Sequence, residues 1–430
     1  MTGGINAVTK SGTNTLKGTG YIYYNNEDMH GNRIDGKELA DRDPEEQTTL
    51  GFTLGGPIVR NKLFFFLNYE GLKKPAPATH ATNNDMDRVR QHMLQRYGYD
   101  VGSYANYPNG RTDSRFLIRL DWNMNLNHHM TLRFNHTTNR LWDTPSTYAT
   151  DAARCMNTSR TVYFSNSMFL QISRVTTFSF DLHSRFGQQF SNQLLITWSD
   201  MRDTRSSDSE PFPFIDIMGG YDASTQTQTQ SSYMSIGYEL FAWNNAVKSS
   251  VTTMTDNLTY YHGNHKLTAG VSWEHQSNRN FYIRYGLGYY RYRSLDEFLN
   301  GDAPETVAIS YGYDGDSKPF TRVRFNQFGI YLQDEWNVTP KLKLSIGLRA
   351  DKLSLVDSDV HRNNIVYGLN FGGRHIDTGR WPDIPVQWTR DWDSAGMSEV
   401  MVPCACAAAR DSLPDVCPWP SSPICPTTRQ

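Results

Sequence analysis

The sequence of 430 residues has no long hydrophobic run; its strongest is the short stretch Leu63-Phe64-Phe65-Phe66-Leu67. A helix that crosses a bilayer needs roughly 18 consecutive apolar residues, which excludes a fold built on such helices. Mean hydropathy is low, at -0.60. Net charge is nearly absent as well, with 42 basic against 44 acidic residues and a balance of -2. Together with the lack of a basic stripe interleaved with aromatics, this leaves no footprint for nucleic acid. Cysteine is scarce, and Cys155 is the only one before Cys404. Neither a disulfide framework nor a zinc site holds that part of the chain together. The start, Met1 to Asn6, has no charged n-region and no apolar h-region. No signal peptide is read there, so the expectation is either a cytoplasmic chain or one whose true N-terminus lies upstream.

What the sequence has is alternation. Phe116, Ile118, Leu120 and Trp122 share one face of an extended segment, with Arg115, Arg119 and Asp121 opposite and Leu117 the exception. Met130, Leu132 and Phe134 oppose Thr131, Arg133 and Asn135, and Leu267, Ala269, Val271 and Trp273 oppose Lys266, Thr268, Ser272 and Glu274. The cleanest case sets Leu342, Leu344, Ile346, Leu348 and Ala350 against Lys341, Lys343, Ser345, Gly347, Arg349 and Asp351. A helix would scatter these residues around its axis, whereas a strand sorts them onto two faces. Each segment runs for about ten residues, enough to cross a bilayer at a tilt.

About eleven strands are expected: Gly18–Asn25, Gln47–Gly55, Lys62–Gly71, Asp113–Asn123, His129–Thr138, Val162–Phe186, Gln193–Asp203, Ser249–His262, Asn264–Asn280, Arg322–Val338 and Lys341–Lys352. The sixth is too long for one plain strand and is expected to bend or run on into a loop. The links alternate in length. Short ones fall at Gly56–Asn61, Met124–His128, Gly187–Asn192, Gly263 and Thr339-Pro340; long polar ones fall at Asn26–Glu46, Leu72–Thr112, Asn139–Thr161, Thr204–Lys248 and Phe281–Thr321. Transmembrane barrels show this asymmetry, with tight turns at the inner rim and long loops outside. Aromatic clusters at Tyr21, Tyr23 and Tyr24, at Phe64, Phe65, Phe66 and Tyr69, and at Tyr285, Tyr289, Tyr290 and Tyr292 fit interfacial girdles. The fold class is therefore all-β, an antiparallel transmembrane barrel.

Few motifs point to chemistry. Gly4 to Ser11 approaches a phosphate-binding loop, but Thr9 replaces its second glycine, so the stretch reads as a turn. His128-His129 and His262/His265 lie in or beside turns without further ligands and read as solvated. No Ser/His/Asp or Cys/His grouping carries a local catalytic signature. The chain reads as a non-enzyme without metal or cofactor. After about Pro385 the character changes, and Cys404, Cys406, Cys417 and Cys425 crowd a proline-rich end. Cys404 and Cys406 are too close for the usual zinc spacing, so residues 389–430 read as a non-native or frame-shifted tail.

Several motifs, in order along the chain, resemble TonB-dependent outer-membrane transporters, most closely the Oar-like branch whose members carry a carboxypeptidase-regulatory-like domain. They are Gly3-Gly4-Ile5-Asn6-Ala7-Val8-Thr9-Lys10-Ser11-Gly12-Thr13-Asn14, Leu54-Gly55-Gly56-Pro57-Ile58, Asn61 to Phe66, Asn68-Tyr69-Glu70-Gly71, Tyr331-Leu332-Gln333-Asp334-Glu335-Trp336 and Gly347-Leu348-Arg349-Ala350-Asp351. The resemblance covers most of Gly3 to Trp388. It implies a barrel of about 22 strands with a plugged lumen, of which this chain would supply about half. Residues 1–14 would end the plug and 15–388 would form part of the wall. It further implies energised import of a bulky solute (a glycan, peptide or metal chelate) across the outer membrane, with TonB as partner through a region upstream. A passive porin and a surface secretion or adhesion protein on the same fold are the alternatives.

Two residue sets are candidates. The acidic and aromatic loop with Asp208, Glu210, Phe212, Phe214, Asp216 and Tyr221 has the chemistry to grip a ligand. Lys266, Thr268, Glu274, Gln333, Glu335, Lys343 and Arg349 are expected to face the lumen, against the plug or the solute path.

Overall fold

Alternating side chains demand a sheet with one apolar and one polar face, and the backbone provides it. The computed structural model describes residues 9–396, apart from 32, 39–45, 76–80, 106, 150–153, 157–159, 220, 223–226, 229–230, 313–314, 357–359 and 382. One antiparallel sheet holds twelve strands, each paired with its neighbours in chain order. They are β1 (Lys17–Asn26), β2 (Glu46–Val59), β3 (Leu63–Lys74), β4 (Arg111–Asn123), β5 (His128–Asp143) and β6 (Phe169–Phe186). There follow β7 (Phe190–Ser206), β8 (Ala246–His262), β9 (His265–Phe281), β10 (Phe320–Thr339), β11 (Leu342–Leu355) and β12 (Gln387–Gly396). The edges β1 and β12 do not pair with each other, so the wall stays open.

Eleven of these strands overlap the expected ones, most of them longer at one end or both, whereas the sixth starts later, at Phe169. The twelfth, β12, was not expected: the wall continues past Trp388 to Gly396, pairing Leu342↔Gly396 through Asp351↔Gln387. Its alternation is masked in the sequence because Arg390, paired with Leu348, interrupts the apolar series of Trp388 and Trp392. The long sixth segment divides as anticipated, with Val162–Tyr163 leaving the wall and a 3-10 turn at Ser165–Ser167 before β6 begins. Residues 1–8 and 397–430, including the first part of the plug-like motif and the four clustered cysteines, lie outside the described residues.

Register fixes which side chains share a face, because residues directly opposite in antiparallel strands point the same way. Leu332 pairs with Leu348 and Ile330 with Ala350, putting these apolar residues on one face. That face is bare of protein: Ile330 is 62% exposed, Leu332 57% and Ile346 58%. Gln333 pairs with Gly347 and Tyr331 with Arg349 on the other face. Tight hairpins at one rim keep this order. Gly263 has φ +55, the left-handed conformation that lets β8 turn into β9 without strain.

At the opposite rim the long links do not merely hang in solvent. Four of them fold together into a cap. A five-stranded sheet takes Val162–Tyr163, Ser232–Ile236, Phe214–Met218, Tyr289–Tyr292 and Thr306–Ala308 in that spatial order. The helix α1 (Met86–Tyr97) places Met86, Val89 and Met93 on one face, at helical spacing. These side chains are fully buried against Val101, Phe164, Ile215, Ile217, Met234 and Ile236, and against Phe298 of a short second helix, Leu295–Asn300. Each such burial contributes about 1.5–3 kcal/mol. The cap is thus a small globular core made from pieces far apart in sequence.

Candidate functional site

The polar face of the wall is concave. Residues from Asn61 round to Glu335 line a single cavity of about 1320 Å³ toward the rim of the short turns. Lys266, Thr268, Gln333 and Glu335 all lie on its surface. Lys343 forms an ion pair with Glu335, which also accepts from Lys266 at 2.7 Å. Arg349 donates to both oxygens of Asp351 at 2.7 Å and to Ser272 Oγ at 2.9 Å, with its guanidinium over the Tyr331 ring. Glu274 falls on the same face by register, opposite Gln327. Sequence alternation therefore brings all seven residues to the concave side. Most of these charges are paired, as an apolar barrel wall requires.

A further feature of this face was not foreseen. The segment Thr9–Leu16 runs along it, pinned at three places. Arg119, bonded to Asp121 through Nε and Nη2, uses Nη1 to donate to both the carbonyl and the hydroxyl oxygen of Thr9 at 2.8 Å. Asn14 and Asn61 exchange hydrogen bonds of 2.7 and 2.8 Å. Between them Gly12 lies so close to the wall that a Cβ would stand 2.3 Å from the Phe65 carbonyl oxygen. The sequence signal was present in Gly12 and Asn14, but nothing local names Arg119 as their partner.

The loop candidates separate. Asp208 and Glu210 are exposed, and Phe212 is half-buried, stacked on Tyr99 at 4.0 Å between ring centroids. Phe214 and Asp216 are a correction: they are interior residues of the cap, 1% and 0% exposed, and do not present themselves to a solute. Nothing is described of the Tyr221 side chain. Tyr285, Tyr289 and Tyr292 are likewise buried in the cap and form no interfacial girdle, and Phe66 is buried on the concave side. Alternating aromatics look the same in sequence whether they meet lipid or a protein core.

Asp216 is the polar centre of the cap. Its carboxylate accepts from Arg154 Nε at 2.5 Å, Ser235 Oγ at 2.6 Å, Ser232 Oγ at 2.8 Å and Tyr289 Oη at 3.0 Å. Arg154 is itself fully buried, bonded also to the Ser146 carbonyl and lying over Phe214. Burial, together with the Asp216 charge, pushes the Tyr289 phenol far above its ordinary value. Burial also pushes the Glu239 carboxyl up. The hydroxyl and amide of Ser146, the amide of Phe241 and the Arg205 charge pull it back only in part. Tyr99 is raised to about 12 by burial. No described group of three or more His, Cys, Asp and Glu side chains is placed to hold a metal ion.

A family model described as "Outer membrane beta barrel domain" matches residues 8–91 and 73–375, most of the chain. The chain belongs to that family. As an outer-membrane barrel protein, it turns the bare Leu, Ile and Phe side chains of the wall toward lipid, with the polar concave face as the lumen. Among solved structures, it is similar to the outer membrane transporter YddB from Escherichia coli, with TM-score 0.50, 11% identity, and 80% of this chain covering 39% of that one. It is also similar to the siderophore receptor PirA from Acinetobacter baumannii, with TM-score 0.44, 14% identity, and coverage of 82% and 40%. A third is the ferric-catecholate import receptor Fiu from E. coli K12, with TM-score 0.46, 14% identity, and coverage of 90% and 48%. No curated protein matches in sequence. The chain spans about 40% of the length of the first two structures.

Proposed function

We propose that this chain forms the wall and outer cap of a TonB-dependent receptor that imports a bulky solute (a glycan, peptide or metal chelate) across the outer membrane. The observation that carries this reading is the pinned segment Thr9–Leu16 on the lumen face, below a folded cap. In this reading residues 1–14 end a plug that fills the lumen, and the Arg119, Gly12 and Asn14 contacts anchor its last turn to the wall. The cap meets the solute first. Contacts there are passed to the plug, which TonB then rearranges through the region upstream. The lumen charges, from Lys266 to Arg349, serve the plug or the passing solute and not catalysis. The fold likeness to an E. coli outer membrane transporter supports the same direction.

The test is uptake of labelled glycans, peptides and ferric chelates by cells carrying the whole protein, with and without TonB. Uptake of at least one solute that is lost with TonB is expected. Uptake indifferent to TonB would indicate a passive porin. No uptake combined with capture of a protein ligand would indicate a secretion or adhesion role.

A further inference from the structure

Beneath the cap, register places one inward side chain per strand in a single row. Phe169 pairs with Asp143 across β6 and β5. Arg205 of β7 lies opposite Asn245, whose carbonyl accepts its amide N–H at 2.9 Å. Tyr282 continues the row just beyond β9, one step past the Ala246↔Phe281 pair. Ser146, Tyr148 and Phe241 of the cap border this row, and together they line an open cavity of about 480 Å³. That volume lies within the roughly 300–1,000 Å³ of small-molecule sites.

Arg205 sets the chemistry. Its guanidinium lies over the Phe169 ring, 4.6 Å from the centroid, and its charge also acts on the buried Glu239 carboxyl. Stacking fixes the plane of the guanidinium, and a planar fork held in this way suits bidentate contact with a carboxylate. Asp143 stands two strands away, about 10 Å by strand spacing, and bars a second negative charge while accepting hydroxyl protons. Tyr148 and Tyr282, 63% and 48% exposed, offer ring faces and phenols to the same space. One carboxylate, hydroxyls on the far side and an apolar ring face describe an acidic sugar.

We propose that this cavity is a binding site for a uronic-acid residue of a glycan, with Arg205 holding its carboxylate. The proposal deepens the import reading by naming a solute class, and it rests on that reading only for its biological purpose.

The experiment is calorimetric titration of the protein in detergent with digalacturonate, the matching neutral digalactoside and a diglutamate peptide. Digalacturonate is expected to bind at least tenfold more tightly than either other probe. Arg205→Gln should weaken it about 10- to 100-fold without changing the neutral sugar, and Arg205→Lys should fall between. Circular dichroism and resistance to trypsin identify any variant that has not folded, and Tyr282→Ala then provides a second probe, expected to weaken both sugars. Equal binding of acid and neutral sugars, preference for diglutamate, or an Arg205→Gln protein that binds digalacturonate normally would overturn the proposal. No energy source is present, so failure of TonB-dependent uptake leaves this result intact and the two readings are judged separately.

Discussion

The wall and the cap hide their apolar side chains in opposite ways. In the wall, Ile330, Leu332, Ile346 and Leu348 point outward and bare, and the charges gather inside. In the cap, Met86, Met93, Ile217, Met234 and Ile236 point inward, and Asp208 and Glu210 face water. One chain thus uses lipid as the solvent for one region and its own interior for the other. The wall is held by a ladder of hydrogen bonds between sequence neighbours. The cap instead depends on contacts between links that leave the wall at different strands, and its polar centre joins Arg154 to Asp216.

This difference predicts opposite sensitivities. The largest effect is expected from Asp216→Ala, which removes the acceptor of four donors and leaves the fully buried Arg154 without its partner. Breaking a buried pair from one side costs about 3–5 kcal/mol. Hydrogen exchange should rise across Phe214–Met218 and Ser232–Ile236 while the wall strands stay protected. If the wall loosened equally, cap and wall would be one cooperative unit. Next comes Leu348→Lys on the lipid face, expected to cost about 2–4 kcal/mol near mid-membrane. Denaturant unfolding in lipid vesicles measures it, and the cap should keep its exchange protection.

Gly12→Val tests the pinned segment. A side chain there meets the Phe65 carbonyl, and such overpacking costs about 1–3 kcal/mol. A cysteine placed at Asn14 should become more reactive to a water-soluble maleimide, and unchanged reactivity would deny the close approach. The smallest effect is expected from pH. Burial against Phe298, with Arg96 and Arg88 nearby, holds the His92 imidazole below its ordinary value. The folded cap therefore binds this proton less readily than the unfolded chain does. The contribution of His92 is full above the ordinary imidazole range and is lost as pH falls through it. Exchange protection in Met86–Tyr97, relative to the intrinsic rate at each pH, should fall between pH 8 and pH 5, and His92→Phe should remove that part of the change.

The wall was legible because its information is local. A period of two over a strand needs only ten or so neighbours, and Leu344, Ile346 and Leu348 declare their face without reference to any other strand. The cap was not legible, for the same reason reversed. Phe214 and Asp216 look like an exposed acidic and aromatic loop until Arg154, Ser232, Ser235 and Tyr289 arrive from three separate stretches. That the residues from Lys266 to Arg349 share the concave face followed from alternation alone, whereas the Arg119–Thr9 contact required knowledge of which strand the first segment crosses. β12 escaped notice because Arg390, between Trp388 and Trp392, broke the apolar pattern that identified its neighbours.

The central claim is that side chains along each wall strand take turns between lipid and lumen. Single cysteines from Leu344 to Arg349, labelled with a fluorophore in membranes, measure this directly with one lipid-borne and one water-soluble quencher. Leu344, Ile346 and Leu348 should respond to the lipid-borne quencher, and Ser345, Gly347 and Arg349 to the aqueous one. A response repeating every three to four residues, or the two sets exchanged, would contradict it.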